Sequence, residues 1–168
     1  AAGVLARRLH GAGSRHAFGM PGGEVPTLVD VPGRAGITFT LVRHENAGDF
    51  VAEGVHHASG APALLVTTVG PGALDAGDVV ENAREDRVPM IGATECLDAE
   101  TAARYTHRLV DQRAVVGAVT KGHFTMAAGA AEVIADRAVA LATSGRPGPV
   151  HIDPSLNIAD APAEAEPA

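Results

Sequence analysis

Six short apolar runs, at 15–18, 37–42, 63–67, 89–93, 123–126 and 150–153, alternate with longer segments of helical spacing, and this alternation restricts the possible folds more than any other feature. Each run is bounded by Gly, Pro or polar residues, the pattern of a buried strand. The intervening segments at 4–10, 44–59, 73–83, 109–117 and 129–143 read as helices, and in the last of them Val133, Ala140 and Leu141 are expected to share a core-facing stripe. Strands that alternate with helices pair in parallel and need helices on both faces. The expected fold class is therefore α/β, a three-layer α/β/α arrangement around a central, mostly parallel sheet of about six strands. Right-handed crossovers bring the loops that follow the strands to one edge of such a sheet, where α/β proteins bind ligands.

The chain has 168 residues, room for one ordinary domain. Residues 1–155 are assigned to it, and 156–168, rich in Ala, Pro and Glu, read as a linker or disordered tail that buries little. With 20 glycines and 3% aromatic residues, the composition favours small-residue contacts between helix and sheet over an aromatic-rich sandwich. A net charge of -7 argues against nucleic-acid and anionic-membrane partners, which select clustered Lys and Arg. Cys96 is the single cysteine, so neither an internal disulfide nor a multi-cysteine metal site can form, and a cytoplasmic setting is expected. No apolar run approaches the roughly 20 residues of a membrane helix.

Three loops at the expected ligand edge carry candidate chemistry. After the first strand, Gly19-Met20-Pro21-Gly22-Gly23 lets the backbone turn sharply and approach a ligand, although a plain turn asks for no more than this. The second strand ends in Arg43-His44-Glu45 and runs into a helix, which puts a carboxylate at the ligand edge. Taken alone, Glu45 reads as a first-turn acid that complements the helix dipole for roughly a few tenths of a kcal/mol. The third strand runs into Thr67-Thr68-Val69-Gly70-Pro71-Gly72-Ala73, a second glycine-rich loop suited to a phosphate or the edge of a ring. Neither glycine loop has the Lys-Ser/Thr ending of a Walker A loop or the spaced glycines of a dinucleotide fingerprint.

In chain order, the motifs are Phe18-Gly19-Met20-Pro21-Gly22-Gly23, Val42-Arg43-His44-Glu45, Ala52-Glu53-Gly54, Ala58-Ser59-Gly60, Gly70-Pro71-Gly72-Ala73, Asp86-Arg87-Val88-Pro89, Val119-Thr120-Lys121 and Thr143-Ser144-Gly145-Arg146-Pro147-Gly148-Pro149-Val150. This succession resembles the N-terminal, pyrimidine-binding domain of thiamine-diphosphate-dependent enzymes of the acetolactate-synthase-like family. The likeness extends to Asp153, with motif order and approximate spacing kept.

The resemblance implies the thiamine-diphosphate-binding form of the α/β/α fold, and a transferase or lyase component acting on a 2-keto acid such as pyruvate. In that family the Glu of the Arg-His-Glu motif hydrogen-bonds ring nitrogen N1′ of the cofactor's aminopyrimidine, and Glu45 is the matching position. The contact favours the imino tautomer, whose exocyclic nitrogen removes the thiazolium C2 proton. The role asks for a desolvated Glu45 with Arg43 and His44 turned away from it. By the same resemblance Pro21, Gly22 and Gly23 lie by the pyrimidine, and Thr68, Gly70, Pro71 and Gly72 lie on the cofactor side, contributing backbone shape.

The resemblance places no metal ligand in this chain. Mg²⁺ and the diphosphate are implied to belong to a second domain carrying Gly-Asp-Gly followed by Asn, a motif this sequence lacks. The chain is accordingly expected to be inactive alone, to need a diphosphate-binding domain or subunit, and to work as a homo- or hetero-oligomer. Arg146 matches an arginine that contacts FAD in flavin-carrying members, but closing a surface turn explains it equally, and FAD is not assigned.

Asn46, Asp75 and Cys96 stand where Gln, Asn and Gln are common in the family, His107-Arg108 stands where a Phe-Gln pair shapes the substrate pocket, and Leu156 replaces a Lys. Substrate and acceptor are therefore left open. Two readings compete with a carboligase or decarboxylase half: the small subunit of a split decarboxylase of the sulfopyruvate or phosphonopyruvate type, and a non-catalytic remnant with an assembly role. His107, Lys121 and His123 are expected to be solvated, and Cys96 to be a buried small residue.

Overall fold

The structure, a computed structural model, describes residues 1–20, 22, 26–97, 99–104 and 110–154. The expected linker at 156–168 and the positions His107, Arg108 and Leu156 lie outside the described residues.

The chain alternates as its pattern demands: α1 (Ala2–Gly11), β1 (His16–Gly19), α2 (Pro26–Arg34), β2 (Thr38–Leu41), α3 (Glu45–Ser59), β3 (Ala63–Thr67), α4 (Pro71–Asp75), α5 (Gly77–Glu85), β4 (Met90–Thr94), α6 (Ala99–Arg104), α7 (Gln112–Val116), β5 (His123–Thr125), a 3₁₀ turn (Ala128–Ala130), α8 (Ala131–Thr143) and β6 (Val150–Asp153). The strands form one sheet in the order β2-β1-β3-β4-β6-β5, and every pair is parallel. Helices flank both faces, so the three-layer α/β/α fold is the one observed. No described helix is long and apolar enough to cross a membrane.

The core divides by face. On one side Ala17, Leu64, Val66, Ile91, Ala93, Val150 and Ile152 meet Val4, Leu5 and Leu9 of α1 and the alanines of α8. On the other, Phe18, Ala63, Leu65 and Met90 meet Ala52 of α3 and Val80 and Ala83 of α5. Alternate residues of one strand thus point to opposite layers, as a pleat requires. The central strand β3 is buried at all five positions, whereas the edge strand β2 has none fully buried.

The buried stripe of α8 differs from the expected one. Ala131, Ala135, Ala138 and Ala142 face the core, while Val133 is 48% exposed, Ala140 is exposed and Leu141 is half-buried. The neighbouring helix α1 also presents alanines, Ala2 and Ala6, and such helices sit close enough that only methyl groups fit between them. Choosing the largest apolar side chains as the core face therefore selected the wrong side of the helix. The expected helix at 73–83 is two helices meeting at Ala76, and α2, the short helical stretch that follows the first glycine loop, keeps Pro32 inside it.

The strand order places the candidate loops. The chain leaves β1 toward β2 on one side and returns to β3 on the other, so β1 and β3 are adjacent with their crossovers running in opposite directions. The crevice at the C-terminal ends of two such strands is where open α/β sheets bind ligands. The loops after β1 and β3, and the start of α3, which lies against both strands, converge on it.

Candidate functional site

Glu45 is the first residue of α3, immediately after His44, whose extended backbone starts the helix. Its side chain is 2% exposed, and its carboxylate takes no hydrogen bond or ion pair from any other described residue. Arg43 and His44 are both exposed and neither pairs with it, which meets the expectation that they turn away. A first-turn acid serving only the helix dipole would sit in solvent. Burying a carboxylate costs free energy unless a donor or a countercharge pairs with it.

The loop after β3 closes against that carboxylate. Gly70 has φ 62°, a left-handed conformation that favours glycine, and it turns the chain into α4 with Pro71 as the first helical residue. A Cβ built on Gly72 would lie 2.5 Å from Thr68 Oγ1 and 3.2 Å from Glu45 Oε1. Only a residue without a side chain lets this loop approach so closely. Thr68, Gly70 and Gly72 are buried and Pro71 is exposed. The structure thus brings Glu45, Thr68 and Gly72 into one cluster, with Gly70 shaping it from behind. Gly22 is half-buried just past the end of β1, and Pro21 and Gly23 lie outside the described residues.

A brace for this loop was invisible in the sequence. Buried Gln112, at the start of α7, accepts the Gly70 N–H at 3.0 Å and donates its amide to the Glu95 carbonyl at 3.3 Å. It ties the glycine loop to the end of β4 across 42 positions of chain, and no local pattern announces such a contact.

The buried face of α3 continues as an acidic row. Asp49 and Glu53 follow Glu45 at helical spacing, and Asn82 of α5 donates to both Glu53 oxygens, at 3.2 and 2.9 Å. Burial, then the charges of Glu53 and Asp78, pushes Asp49 up to about 8. Glu53 is raised as well, chiefly by burial and against its bond to Asn82. Asn46 points outward to Asp78 at 3.3 Å.

A second polar cluster occupies the same face of the sheet at the far strands. His123 Nδ1 and His151 Nδ1 are 3.0 Å apart, His123 Nε2 is 3.1 Å from Asp153 Oδ2, and His151 Nε2 is 2.9 Å from Thr94 Oγ1. Thr94 in turn lies 2.8 Å from Thr67 Oγ1. His151 is lowered to about 3 by burial and then by His123, and Asp153 is raised to about 7 by burial and Asp111, against Arg113. His123 is lowered, first by burial, so the expectation that it is solvated is corrected: it is half-buried and bonded on both ring nitrogens. Its pairing on β5 opposite His151, with the ring turned toward that residue, is the reason.

Lys121 is likewise engaged, donating to the Leu141 carbonyl and, at 2.8 Å, to the Ser144 carbonyl at the end of α8. Arg146 is exposed and reaches the carbonyls of Arg84 and Glu85, the surface-turn role.

The family model described as "Thiamine pyrophosphate enzyme, N-terminal TPP binding domain" matches residues 1–115. The chain belongs to the thiamine pyrophosphate enzymes. Its similarity to curated members covers nearly the whole TPP-binding domain. It is 30% identical over 166 residues to the probable acetolactate synthase large subunit of Methanocaldococcus jannaschii, covering 97% of this chain and 28% of that protein. It is 31% identical over 151 residues to the acetolactate synthase isozyme 1 large subunit of Escherichia coli, covering 88% of this chain and 27% of that protein. It is 31% identical over 166 residues to the probable 2-ketoarginine decarboxylase of Pseudomonas aeruginosa, covering 95% of this chain and 29% of that protein. The TPP-binding domain described here therefore spans less than a third of the length of these relatives, and the family implies use of thiamine diphosphate.

Proposed function

We propose that this domain supplies the pyrimidine-binding half of a thiamine-diphosphate-dependent carboligase or decarboxylase acting on a 2-keto acid, with Glu45 as the residue that activates the cofactor. The observation that carries this reading is the buried Glu45 carboxylate at the switch point of the sheet, without a hydrogen-bond or ion-pair partner among the described residues and closed in by Gly72 and Thr68. Thiamine diphosphate supplies an electron sink for the carbanion left when a 2-keto acid loses its carboxylate. The donor set fits its pyrimidine end: a desolvated carboxylate for a protonated ring nitrogen, beside a glycine surface flat enough for an aromatic edge.

Within this reading each residue has a bounded task. Glu45 holds or shares one proton at its Oε atoms, and the start of α3 fixes its direction. Gly70 and Gly72 set the wall of the crevice, Thr68 fills the gap behind Gly72, and Gln112 holds the loop in place. Pro21, Gly22 and Gly23 are assigned to a loop near the pyrimidine, as the family resemblance implies. The diphosphate and its Mg²⁺ are assigned to another domain or subunit, since the Gly-Asp-Gly motif expected to hold them is missing from this sequence.

Support for that division comes from α3. Its outward stripe is Ala47, Phe50, Val51 and Gly54, with Phe50 54% and Val51 46% exposed, and Leu74 of α4 is exposed as well. An apolar stripe at helical spacing next to the catalytic acid suits a docked protein surface. We assign it to the diphosphate-bearing region within a homo- or hetero-oligomer, in a cytoplasmic setting that suits the single cysteine.

The test joins the chain to the diphosphate-bearing region, in one polypeptide or as separate chains. Pyruvate consumption is then followed with thiamine diphosphate and Mg²⁺, with and without Glu45→Gln. Loss of roughly 100-fold or more in kcat is expected from removing a group engaged in proton transfer. Undiminished turnover in the Gln variant excludes Glu45 from the mechanism, and failure of any assembly to bind the cofactor favours the remnant reading. Acetolactate as product marks a carboligase and an aldehyde marks a decarboxylase.

A further inference from the structure

We propose that His123, His151 and Asp153 form a binding site for one divalent transition-metal ion of the zinc class, on the same face of the sheet as Glu45 but at the far strands β5 and β6. The three residues sit on two parallel strands, His123 opposite His151 and, two rungs along, Thr125 opposite Asp153. Side chains alternate along a strand, so His151 and Asp153 project from one face, and His123 joins them from the neighbouring strand. A paired-strand platform holds ligands more rigidly than a loop does.

The spacing suits a small tetrahedral ion. One ligand atom from each residue can be chosen so that all lie within 4.8 Å of one another. His151 Nδ1 is 3.0 Å from His123 Nδ1 and 3.5 Å from Asp153 Oδ1. Bonds of about 2.0–2.1 Å in a tetrahedral site put neighbouring ligand atoms about 3.3 Å apart. These two separations bracket that figure, and a side-chain adjustment that brings Asp153 toward His123 closes the set around an ion. A fourth position is then left for water or another ligand.

The hydrogen-bond inventory points the same way. His151 Nε2 meets Thr94 Oγ1 at 2.9 Å, and His123 Nε2 lies 3.5 Å from Thr125 Oγ1. Metal-bound histidines donate the far ring N–H to just such oxygens, which fixes the tautomer and aims the other nitrogen at the ion. A neutral imidazole has one N–H. With both placed on Nε2, the two Nδ1 lone pairs face each other at 3.0 Å, an arrangement that a cation between them stabilises. Asp153 Oδ1 has no hydrogen-bond partner among the described residues and completes the triangle. Two imidazoles and one carboxylate select zinc-like ions over Mg²⁺ or Ca²⁺, which take all-oxygen shells. The rival arrangement places a proton on His151 Nδ1, giving a metal-free chain of bonds from Thr67 through Thr94, His151 and His123 to Asp153.

The full chain, stripped of metal by a chelator, is titrated with Co²⁺ and then Zn²⁺, with folding followed by circular dichroism. The expected result is one equivalent of Co²⁺ with the strong visible bands of a tetrahedral ion, displaced by Zn²⁺, and a raised Tm. His123→Gln removes one ligand from the half-buried strand and should weaken binding by about 100-fold or more. Thr94→Val keeps all three ligands and should weaken it by about 10- to 100-fold by freeing His151. Absence of saturable Co²⁺ or Zn²⁺ binding by the folded wild-type chain overturns the proposal in favour of the proton-sharing chain. Binding left unchanged in folded His123→Gln overturns it equally, by moving the ion to other histidines.

Discussion

Asp49 is one helical turn beyond Glu45, is 0% exposed, and has no hydrogen-bond partner for either oxygen among the described residues. Burial, followed by the charges of Glu53 and Asp78, carries its pKa from 3.8 to about 8. The folded protein thus keeps a proton there that the unfolded chain releases near pH 4. The sign follows: the stability associated with protonated Asp49 is fully present below the unfolded pKa and is lost as pH rises toward about 8. At about 1.4 kcal/mol per pH unit, the whole interval from 3.8 to about 8 has a ceiling of about 6 kcal/mol.

Asp49→Asn keeps the shape and removes the titration. Urea unfolding of wild type and variant at about pH 5.5 and about pH 8 should move the stability difference in the variant's favour by up to about 3 kcal/mol. A difference constant to within about 0.5 kcal/mol across that interval would refute the argument, because it would mean that Asp49 is ionised in both states or neutral in both. The same neutrality matters for the site. Residues four apart on a helix are neighbours about 5–6 Å apart at Cβ, so a protonated Asp49 spares Glu45 a full like charge on the next turn.

Gly72→Ala places a methyl group 2.5 Å from Thr68 Oγ1 and 3.2 Å from Glu45 Oε1, and should cost about 1–3 kcal/mol in urea unfolding while weakening cofactor binding measured by calorimetry. Adding Thr68→Ala should recover most of the stability. Phe50→Glu lies on an exposed helix face and should change the stability of the chain by no more than about 0.5 kcal/mol. Sedimentation with the diphosphate-bearing partner should nevertheless show weakened assembly. Lys121→Met removes the cap on the end of α8 and should lower stability by about 1 kcal/mol in thermal melts, with cofactor affinity unchanged.

The sequence made the alternation of strand and helix legible because each strand is short, apolar and bounded by turn residues, and because Glu45–Ser59 carries a continuous helical pattern ending at Gly60, whose φ of 75° suits glycine. The meeting of Glu45, Thr68 and Gly72 at one edge was legible for a related reason. Each lies directly after a strand, and a parallel sheet brings all such positions to one edge. What failed depends on distance in the chain or on how closely elements approach. The alanine face of α8 is decided by the nearness of α1, Gln112 acts on a loop 42 positions away, and His123 acquires its partners from a strand not yet formed in the local pattern. None of these leaves a trace at short range.

The helix α3 unites the two halves of the proposed function. Its first residue is the buried acid, its inward row holds Asp49 and Glu53, and its outward stripe offers Phe50 and Val51 to another surface. A helix is stiff over this length, so a partner seated on Phe50 and Val51 also fixes the direction in which Glu45 points, some 7–9 Å back along the axis at about 1.5 Å per residue. Docking and activation would then be one event. Phe50→Glu should in that case lower kcat together with assembly and leave the free domain's fold intact, whereas an assembled variant with full kcat would separate the two roles.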